Sequence, residues 1–575
     1  MKKTVFFYLL LILSVVSTKA FTPTQIESTQ VKPVKNLILM IPDGTSLATV
    51  SIARWYQWYL QSDMQKLAID PYICGTVVTH SSNAPIGDSA PTTSCYMTGY
   101  PSRTGYVSTY PVSDEANDIY PMDPTMAYQP LITLLEAAKI VQHKATGLVF
   151  TCEFPHATPA DCAAHSYRRN RYDWIVPQMV HNDLDVVIGG GVSLLSEKEE
   201  TYLQANQYGI YKNDIEGMRR HTGNKMWALY NDREMSYDID RDPTQEPSLE
   251  EMTRIAIDKL SKNENGFFLM VEGSKIDWAA HANDPVGMIT DFLAFDRACK
   301  AALDFARENG ETAVVIVPDH GNSGISLGAR GKGAYDRQTK DDLFGVISKV
   351  KLTAEGLAKK LNAEPYAAVQ QIFSEYAGFE LSERELNALH HCRGYINSPI
   401  PTSERSSSGI SPALYSNSLT DFVAKLITSK TSFGFTTDGH TGEEVFLAVY
   451  HPQGAIPIGM HTNIELHHYM ADIFGLAGTL DQLTATHFAK HTELFKDYTY
   501  EIIPPQEATG SPKLIVQGQK NQLIIYPNTN TVKLGKKGQK ETHKAQQDIR
   551  LNSVIVYVDA NNTFYLPQSL TDYLN

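Results

Sequence analysis

Asn36-Leu-Ile-Leu-Met-Ile-Pro42 is a continuous apolar run that ends directly before the carboxylate of Asp43. Gly266-Phe-Phe-Leu-Met-Val271 and Ala313-Val-Val-Ile-Val-Pro318 repeat the pattern, and an acidic residue follows each of them. Runs of this length, rich in branched side chains, are typical of parallel strands that are buried on both faces of a sheet. Because the chemistry of such sheets gathers outside the carboxyl ends of the strands, these endings predict one shared site.

The rest of the chain alternates strand-like and helical patterns up to about residue 321. Residues 185–190 resemble a further strand, and residues 249–262 and 286–309 have the pattern of amphipathic helices. This order predicts an α/β fold with a central, mostly parallel sheet flanked by helices on both faces. Later patterns predict a helical insertion and a small C-terminal β unit. The predicted parts are a signal peptide at 1–20, a main domain at 35–503 with the insertion at about 322–431, and the β-rich unit at 504–575.

Composition excludes some classes of protein. The chain has 575 residues, 42% of them hydrophobic, and a formal net charge of -14. It therefore lacks the broad basic surface of a protein that binds nucleic-acid duplexes. Six cysteines are too few for a disulfide scaffold, and sequence alone leaves free thiols and disulfide pairs equally open. Without a CxxC pair, a thiolate zinc site is not supported.

The first twenty residues have the pattern of a secretory signal peptide. Lys2 and Lys3 precede an apolar stretch from Val5 to Val16, and the small residue Ala20 follows at the expected cleavage position. No later apolar run reaches the length of a transmembrane segment. We therefore expect an exported protein, either periplasmic or extracellular, without a membrane span.

The segment from Gly87 to Gly99, GDSAPTTSCYMTG, contains a candidate nucleophile. Pro91 suits the first turn of a helix and Gly99 its end, so Ser89 is predicted at a helix N-terminus. Backbone N–H groups and the helix dipole favour an anion there, whether an alkoxide or a bound phosphate. On its own, Ser89 would more often be an ordinary helix cap.

Candidate metal ligands follow two of the predicted strands. Glu272 ends one strand, and Asp277 and His281 come next, four positions apart, so that one helical turn would place both on one face. Asp319 and His320 directly follow another strand. Carboxylates mixed with imidazoles form the ligand sets that zinc accepts.

A further segment supplies a hydroxyl and a cation. Thr158 follows another strand-like run within His156-Ala-Thr-Pro-Ala160, and Arg169 comes eleven residues later. Eleven residues are about three helical turns, which predicts that both side chains share one helix face. A guanidinium at that position can bind an oxyanion through two parallel hydrogen bonds. A surface ion pair is the alternative role for Arg169.

Together these segments resemble the alkaline phosphatases. The resemblance covers roughly residues 35 to 490, and the motifs occur in the order and spacing of that family. They are Pro42-Asp43-Gly44, Gly87-Asp88-Ser89-Ala90, His156-Ala-Thr158-Pro-Ala160 with Arg169-Asn-Arg-Tyr-Asp173, Val271-Glu272-Gly273 with Ile276-Asp277 and His281, Pro318-Asp319-His320, and Gly439-His440-Thr-Gly442.

The resemblance implies a phosphomonoesterase with two Zn2+ and one Mg2+ per chain, in which Ser89 forms a phosphoserine. It implies that the first zinc is held by Asp277, His281 and His440, the second by Asp43, Asp319, His320 and Ser89, and the magnesium by Asp43, Thr158 and Glu272. It also implies that Arg169 grips the phosphate, that Asp88 helps to position it, and that His156 and Trp278 lie beside the substrate. A packing role is the alternative for His156. Relatives are commonly homodimers, so a homodimer is expected.

Three other functions fit the sequence less well. A sulfatase needs an arginine two residues after the proline of its nucleophile motif, where this chain has Thr93. A phosphodiesterase usually lacks a clamp such as Arg169, because its substrate has a second ester group. A non-enzymatic phosphate or zinc binder would lack the nucleophile or one ligand set. The sequence does not identify the physiological phosphate monoester.

Overall fold

The computed structural model describes residues 32–61, 63–505, 510–538 and 546–574. The predicted signal peptide at residues 1–20 lies outside this part of the chain. Among the described residues, no helix has both the length and the apolar character that crossing a membrane requires.

The strands and helices alternate along most of the chain. The strands are β1 Asn36–Pro42, β2 Ile73–Val78, β3 Ala145–Glu153, β4 Val186–Gly190, β5 Gly209–Lys212, β6 Met226–Tyr230, β7 Phe267–Gly273, β8 Thr312–Ile316, β9 Gly321–Asn322, β10 Ser326–Leu327, β11 Phe433–Gly434, β12 His440–Thr441, β13 Val445–Tyr450, β14 Gly459–Thr462, β15 Ala489–Lys490, β16 Thr499–Ile503, β17 Lys513–Gln517, β18 Asn521–Ile525, β19 Thr531–Lys536, β20 Gln547–Arg550, β21 Val556–Val558 and β22 Thr563–Leu566. The α-helices are α1 Leu47–Leu60, α2 Ser89–Thr98, α3 Leu134–Gln142, α4 Ala157–Ala163, α5 Tyr172–His181, α6 Glu197–Ala205, α7 Ile215–Arg220, α8 Leu249–Leu260, α9 Lys275–His281, α10 Pro285–Asn309, α11 Lys340–Phe344, α12 Ala354–Ala363, α13 Val369–Tyr376, α14 Glu383–His391, α15 Leu419–Ser429, α16 Asn463–Ile473, α17 Leu480–His487 and α18 His491–Leu494.

A ten-stranded sheet lies at the centre of the described structure, in the order β14-β2-β13-β8-β1-β7-β3-β4-β6-β5. β13 runs antiparallel to β2 and β8, and the other neighbouring pairs of this sheet are parallel. The predicted α/β fold with a mostly parallel sheet is therefore confirmed.

Both faces of the sheet are covered by helices. Along β1, Leu37, Leu39 and Ile41 pack into one apolar core. Ile38 and Met40, which alternate with them, pack into the opposite core. All seven residues of β1 are buried, because a strand between two helical layers has no face in water. Burial on both faces explains why the sequence of β1 is an apolar run without alternating polar residues.

The predicted insertion contains α11 to α15. These helices share a third apolar core with α1, α9 and the start of α10. Asp284 joins the two parts, since its carboxylate accepts hydrogen bonds from the backbone N–H groups of Val286 and Ala354 at 2.9 and 2.7 Å. The insertion is thus packed beside α9, which carries Asp277 and His281.

The C-terminal part is β-rich, as the sequence predicts. It contains an antiparallel five-stranded sheet, β16-β17-β18-β19-β20, and a three-stranded sheet, β15-β22-β21. β15 and β16 precede residue 504, so strands of this part begin before the predicted boundary. The reason is that β16 pairs with β17 over its whole length, from Thr499 opposite Gln517 to Ile503 opposite Lys513.

Candidate metal centre

Strand register brings the first acidic side chains together. Ile41 of β1 lies opposite Glu272 of β7, and β8 pairs with the other edge of β1. Asp43 and Asp319 follow β1 and β8 closely, so the three carboxyl groups meet at the carboxyl edge of the sheet. All three are fully buried. Parallel pairing therefore gathers three acidic side chains at one edge of the sheet.

The first candidate zinc position combines Asp277, His281 and His440. On α9, His281 Nε2 lies 3.4 Å from Asp277 Oδ2, as the i, i+4 spacing predicts. His440 Nε2 lies 3.1 Å from His281 Nε2 and 3.8 Å from Asp277 Oδ1. His440 reaches this position because β12 pairs with β9, with His440 opposite Asn322.

The second candidate zinc position lies directly beside the first. His320 Nε2 is 3.4 Å from Asp43 Oδ1 and 3.5 Å from Asp319 Oδ2. Ser89 Oγ is 3.4 Å from the same nitrogen. The rings of His320 and His440 stack with centroids 3.7 Å apart, which links the two positions.

Each of the three histidines directs Nε2 into the site because its other nitrogen is fixed by a carbonyl. Nδ1 of His281, His320 and His440 lies 2.7 to 3.1 Å from the backbone oxygens of Asp438, Gly321 and Gly87, respectively. Such contacts set the tautomer and orientation of metal-binding histidines. Asn322 plays a similar part for Asp277, donating from Nδ2 to Oδ1 at 2.7 Å. The sequence offers no signal that identifies these supporting groups.

The third candidate metal position is lined by oxygen atoms. Both carboxylate oxygens of Asp43, Oε1 of Glu272 and Oγ1 of Thr158 are buried without a hydrogen-bond partner among the described residues. Oxygen ligands of this kind suit magnesium. The other oxygen of Glu272, Oε2, accepts from the thiol of Cys152 at 3.4 Å. Cys152 is a contact that the sequence analysis missed, because a lone buried cysteine has no distinguishing pattern.

The ionisation of these groups shows how strongly the site favours cations. Burial, and then the carboxylates around it, raise the pKa of Asp43 well above its usual range. Burial and the neighbouring Asp319 raise the pKa of Glu272 to about 8. Burial and His440 lower the pKa of His320 to about 4. A neutral imidazole at His320 beside crowded carboxyl groups is the kind of donor set that a divalent cation satisfies, so the residues fit the metals that the sequence implies.

The nucleophile candidate is placed as predicted. α2 begins at Ser89 and ends before Gly99, which has a left-handed backbone. The cap is Asp88, whose Oδ1 accepts from Ser89 N at 2.9 Å, rather than Ser89 itself. The same oxygen accepts from Arg169 Nη1 at 2.8 Å. Asp88 thus holds Arg169 beside Ser89, and although burial acts the other way, Arg169 lowers the pKa of Asp88.

The predicted helical link between Thr158 and Arg169 is wrong. α4 ends at Ala163, and Arg169 lies in the loop that follows. Arg169 approaches the site because its backbone N–H donates to Gly105 O at 2.7 Å, which anchors the loop to a distant segment. Spacing along the chain cannot reveal such a contact.

His156 and Trp278 complete the group of predicted residues. Arg169 Nη2 lies 3.2 Å from His156 Nε2, and the ring of His156 packs edge-on against Trp278 with centroids 5.8 Å apart. A connected set of contacts around Ser89 therefore joins most of the residues predicted for the site, and Trp278 contacts it through His156. Possible ligand atoms of Glu272 and His156 lie within 4.8 Å of each other, whereas Thr158 Oγ1 has no hydrogen-bond partner among the described residues.

The chain is similar in sequence and in fold to several known proteins. A family model described as alkaline phosphatase matches residues 34–476, a range that contains every predicted site residue. Alkaline phosphatase 4 of Bacillus subtilis (strain 168) is 31% identical over 434 residues, covering 73% of this chain and 84% of that protein. A cold-active alkaline phosphatase from the psychrophile Shewanella sp. has the same fold, with a TM-score of 0.63 and 24% identity over 76% of this chain and 99% of that one. A mutant alkaline phosphatase of the Antarctic bacterium TAB5, with Mg bound in its M3 site, has a TM-score of 0.50 and 22% identity over 78% of this chain and 99% of that one.

Proposed function

Because this chain belongs to the alkaline phosphatase family and is a phosphomonoester hydrolase, we propose that it acts through a phosphoserine formed on Ser89. The observation that supports this most is that one nitrogen, His320 Nε2, lies 3.4 Å from both Ser89 Oγ and Asp43 Oδ1. The nucleophile therefore touches the metal-binding group directly. A serine that served only to cap a helix would have no such neighbours.

The family is metal-dependent, and we propose two Zn2+ ions and one Mg2+ ion for this chain. Asp277, His281 and His440 would hold one zinc, Asp43, Asp319, His320 and Ser89 the other, and Asp43, Thr158 and Glu272 the magnesium. The magnesium assignment is supported by the buried oxygens of Asp43, Thr158 and Glu272, which have no hydrogen-bond partner among the described residues, and by the magnesium found in the TAB5 mutant. When bound, these ions would lower the pKa of the Ser89 hydroxyl and offset negative charge on the phosphoryl group.

The residues of the chain provide orientation and a nucleophile. Ser89 attacks phosphorus and the alcohol departs, and water then hydrolyses the phosphoserine to inorganic phosphate and restores the serine. Arg169 binds two phosphoryl oxygens, and Asp88 holds its guanidinium in place. The N-terminus of α2 presents the positive end of the helix dipole to the same anion. His156 and Trp278 form the side of the pocket next to Arg169.

The alternatives are a phosphodiesterase, another hydrolase of the superfamily, and a non-enzymatic phosphate or zinc binder. A clamp such as Arg169 favours a monoester, because it needs phosphoryl oxygens that carry no second ester group. The complete set of ligands around Ser89 opposes a mere binder. In the part of the chain that the structure describes, no specific contact favours any of the three alternatives.

The test compares a monoester, a diester and a sulfate ester of one chromogenic alcohol at alkaline pH. We expect the monoester to be hydrolysed far faster than the other two, with activity lost on chelation and restored by zinc plus magnesium. Ser89→Ala should lower turnover at least about a thousandfold because the nucleophile is removed, while inorganic phosphate still binds.

Ser94→Ala is the matched control for Ser89→Ala. Ser94 is a buried serine of the same helix, and its Oγ has no hydrogen-bond partner among the described residues. This variant should keep the wild-type rate. A Ser89→Ala protein that remained as active as wild type would contradict the phosphoserine, and preference for the diester would contradict the substrate class.

We also propose that the chain is exported and forms a homodimer. Export is supported by the basic and apolar pattern of residues 2–20. The homodimer rests on family resemblance. Sedimentation of the purified protein and N-terminal sequencing of the secreted form would test the two proposals.

A further inference from the structure

Asp161 is a buried carboxyl group that the proposed reaction does not use. It lies on α4, three residues after Thr158, with no exposed surface. Its Oδ1 accepts from the backbone N–H of Ser108 at 2.7 Å, and its backbone oxygen accepts from Ser108 Oγ at 2.6 Å. Its Oδ2 has no hydrogen-bond partner among the described residues. Burying a carboxyl group in this way is costly, so its retention needs a reason.

Ser108 belongs to a segment that holds the loop of Arg169. We call residues 105–109 the clamp segment. Gly105 O accepts from Arg169 N at 2.7 Å, and Val107 and Ser166 exchange backbone hydrogen bonds of 2.7 and 3.0 Å. Each end of the loop between α4 and α5 that carries Arg169 is thus tied to the clamp segment. Any shift of the clamp segment would therefore move the guanidinium.

Ser108 is the point at which the clamp segment is fixed to α4. It has a positive φ of 34°, which is unfavourable for a serine and must be maintained by its surroundings. Asp161 supplies two of the hydrogen bonds that maintain it, and the ring of His165 supplies a third, with Nδ1 3.0 Å from Ser108 O.

Asp161 also lies near enough to Arg169 for the two groups to affect each other's ionisation, although burial raises the pKa of Asp161 well above its usual range. Although burial opposes the effect, the surrounding carboxylates raise the pKa of Arg169, with Asp88 the strongest and Asp161 among the rest. Asp88 contacts the guanidinium from the side of Ser89, whereas Asp161 acts from α4. The two carboxyl groups therefore influence one cation from different elements.

We propose that Asp161 is a positioning residue for Arg169, holding the clamp segment through Ser108 and so setting the guanidinium beside Ser89. The inference rests on the proposed function, in which Arg169 binds the phosphoryl group. A preorganised guanidinium loses less entropy when phosphate binds than one on an unanchored loop. The effect of Asp161 on phosphate binding should therefore depend on the presence of Arg169.

A double-mutant cycle tests this dependence. The inhibition constant of inorganic phosphate is measured for wild type, Asp161→Ala, Arg169→Ala and the double variant, with metal content determined for each. We expect Asp161→Ala to raise this constant about tenfold when Arg169 is present and less than about twofold when it is absent. KM for the monoester should rise together with the inhibition constant of phosphate. A role limited to folding would weaken binding by the same factor in both backgrounds.

Two further variants resolve how Asp161 acts. Asp161→Asn keeps an oxygen that can accept from Ser108 N, so its inhibition constant should stay within about threefold of wild type. Cys162→Ala, which removes the next buried side chain of α4, should leave the constant unchanged. If Asp161→Ala does not fold, Ser108→Ala replaces it in the same cycle. We then expect the inhibition constant of inorganic phosphate to rise about threefold when Arg169 is present and to stay unchanged when it is absent.

The inference is overturned if Asp161→Ala binds phosphate as wild type does, or if its effect is equal with and without Arg169. A failure of the proposed function is distinguishable, because wild type itself would then not hydrolyse the monoester. If Arg169→Ala alone left phosphate binding unchanged, the assignment of Arg169 as the phosphate clamp would fail first.

Discussion

At the scale of single residues, the site is dominated by carboxyl groups placed closer together than they would be in water. Asp43, Glu272 and Asp319 are fully buried at one edge of the sheet, and burial raises the pKa of each of them. Repulsion from Asp319 raises the pKa of Asp43 and Glu272 further. A protein keeps such an arrangement at a cost to its stability. The cost is offset when a divalent cation binds, so metal binding and folding stability should be strongly coupled.

This coupling predicts how the chelated protein responds to pH. Folding raises the pKa of Glu272 from 4.5 to about 8, so between these values the folded state keeps a proton that the unfolded chain has lost. The unfolded state binds fewer protons there, and the free energy of unfolding must fall as pH rises from about 4.5 to about 8 and level off above it. We expect a fall on the order of a few kcal/mol, measured by urea unfolding at several pH values.

Glu272→Gln is the control, because other buried carboxyl groups also make the free energy of unfolding fall as pH rises. Only the difference in this fall between wild type and Glu272→Gln measures the contribution of Glu272. The chelated Glu272→Gln protein should lose less stability over the same pH range. With metals restored, the wild type should show no such fall. Equal pH slopes for the two chelated proteins would contradict the shifted pKa.

At the scale of elements, α2 is constrained at both ends. Asp88 caps its start, and Tyr96 Oη donates to Pro318 O at 2.9 Å, which ties the helix to the residues before Asp319. At its end, Gly99 has a φ of 80° and lies against the ring of His467. The helix therefore cannot slide along its axis without breaking contacts, and this keeps Ser89 at a fixed distance from His320.

Gly99 and Gly310 form a matched pair for testing that constraint. Both follow a helix with a left-handed backbone, at φ of 80° and 70°. A Cβ at Gly99 would lie 2.6 Å from Cδ2 of His467, whereas none of the described residues comes within 4 Å of a Cβ at Gly310. Gly310→Ala should cost about 1 kcal/mol from backbone strain alone, and Gly99→Ala at least about 2 kcal/mol. Urea unfolding measures the free energy of unfolding of both variants. Equal decreases would show that the ring of His467 moves aside without a loss of stability.

The elements also show which features a sequence can predict. β1 has the predicted bounds because its burial on both faces is recorded in its own apolar residues. β16 and β20 were missed, since most residues of Thr499–Ile503 and Gln547–Arg550 are polar or exposed and the strands are defined by their partners. The position of Arg169 was misassigned for the same reason, because hydrogen bonds to the clamp segment place it. The sequence motifs predicted which residues come together in the candidate site. The backbone carbonyls that orient the histidines, and Asn322, which orients Asp277, belong to no sequence pattern that could have identified them.

At the scale of the whole molecule, the C-terminal part is not a separate body. Successive residues of β22 enter different cores: Phe564 packs with the apolar residues of the five-stranded sheet, and Tyr565 packs into the core beneath the central sheet. Arg550 adds an ion pair with Asp183 at 2.6 Å. One strand therefore belongs to both cores.

This sharing predicts a single unfolding transition. Phe564→Ala and Tyr565→Ala should each lower the stability of the whole protein by about 3–5 kcal/mol, as large-to-small changes in a core do. Calorimetry of the metal-bound protein should show one peak that moves to lower temperature in both variants. Two resolved peaks, with only one of them moved by Phe564→Ala, would show that the C-terminal part unfolds independently.

The order of the ligands along the chain has a consequence for biogenesis. Asp43 leaves the ribosome about four hundred residues before His440, and β12, which brings His440 into place, pairs with β9 only after the insertion between them has been made. Of the three proposed ion positions, only the one formed by Asp277, His281 and His440 needs residues made after the insertion, so an incomplete nascent chain could not finish it. Occupation of that one position would therefore report that synthesis and assembly have both been completed.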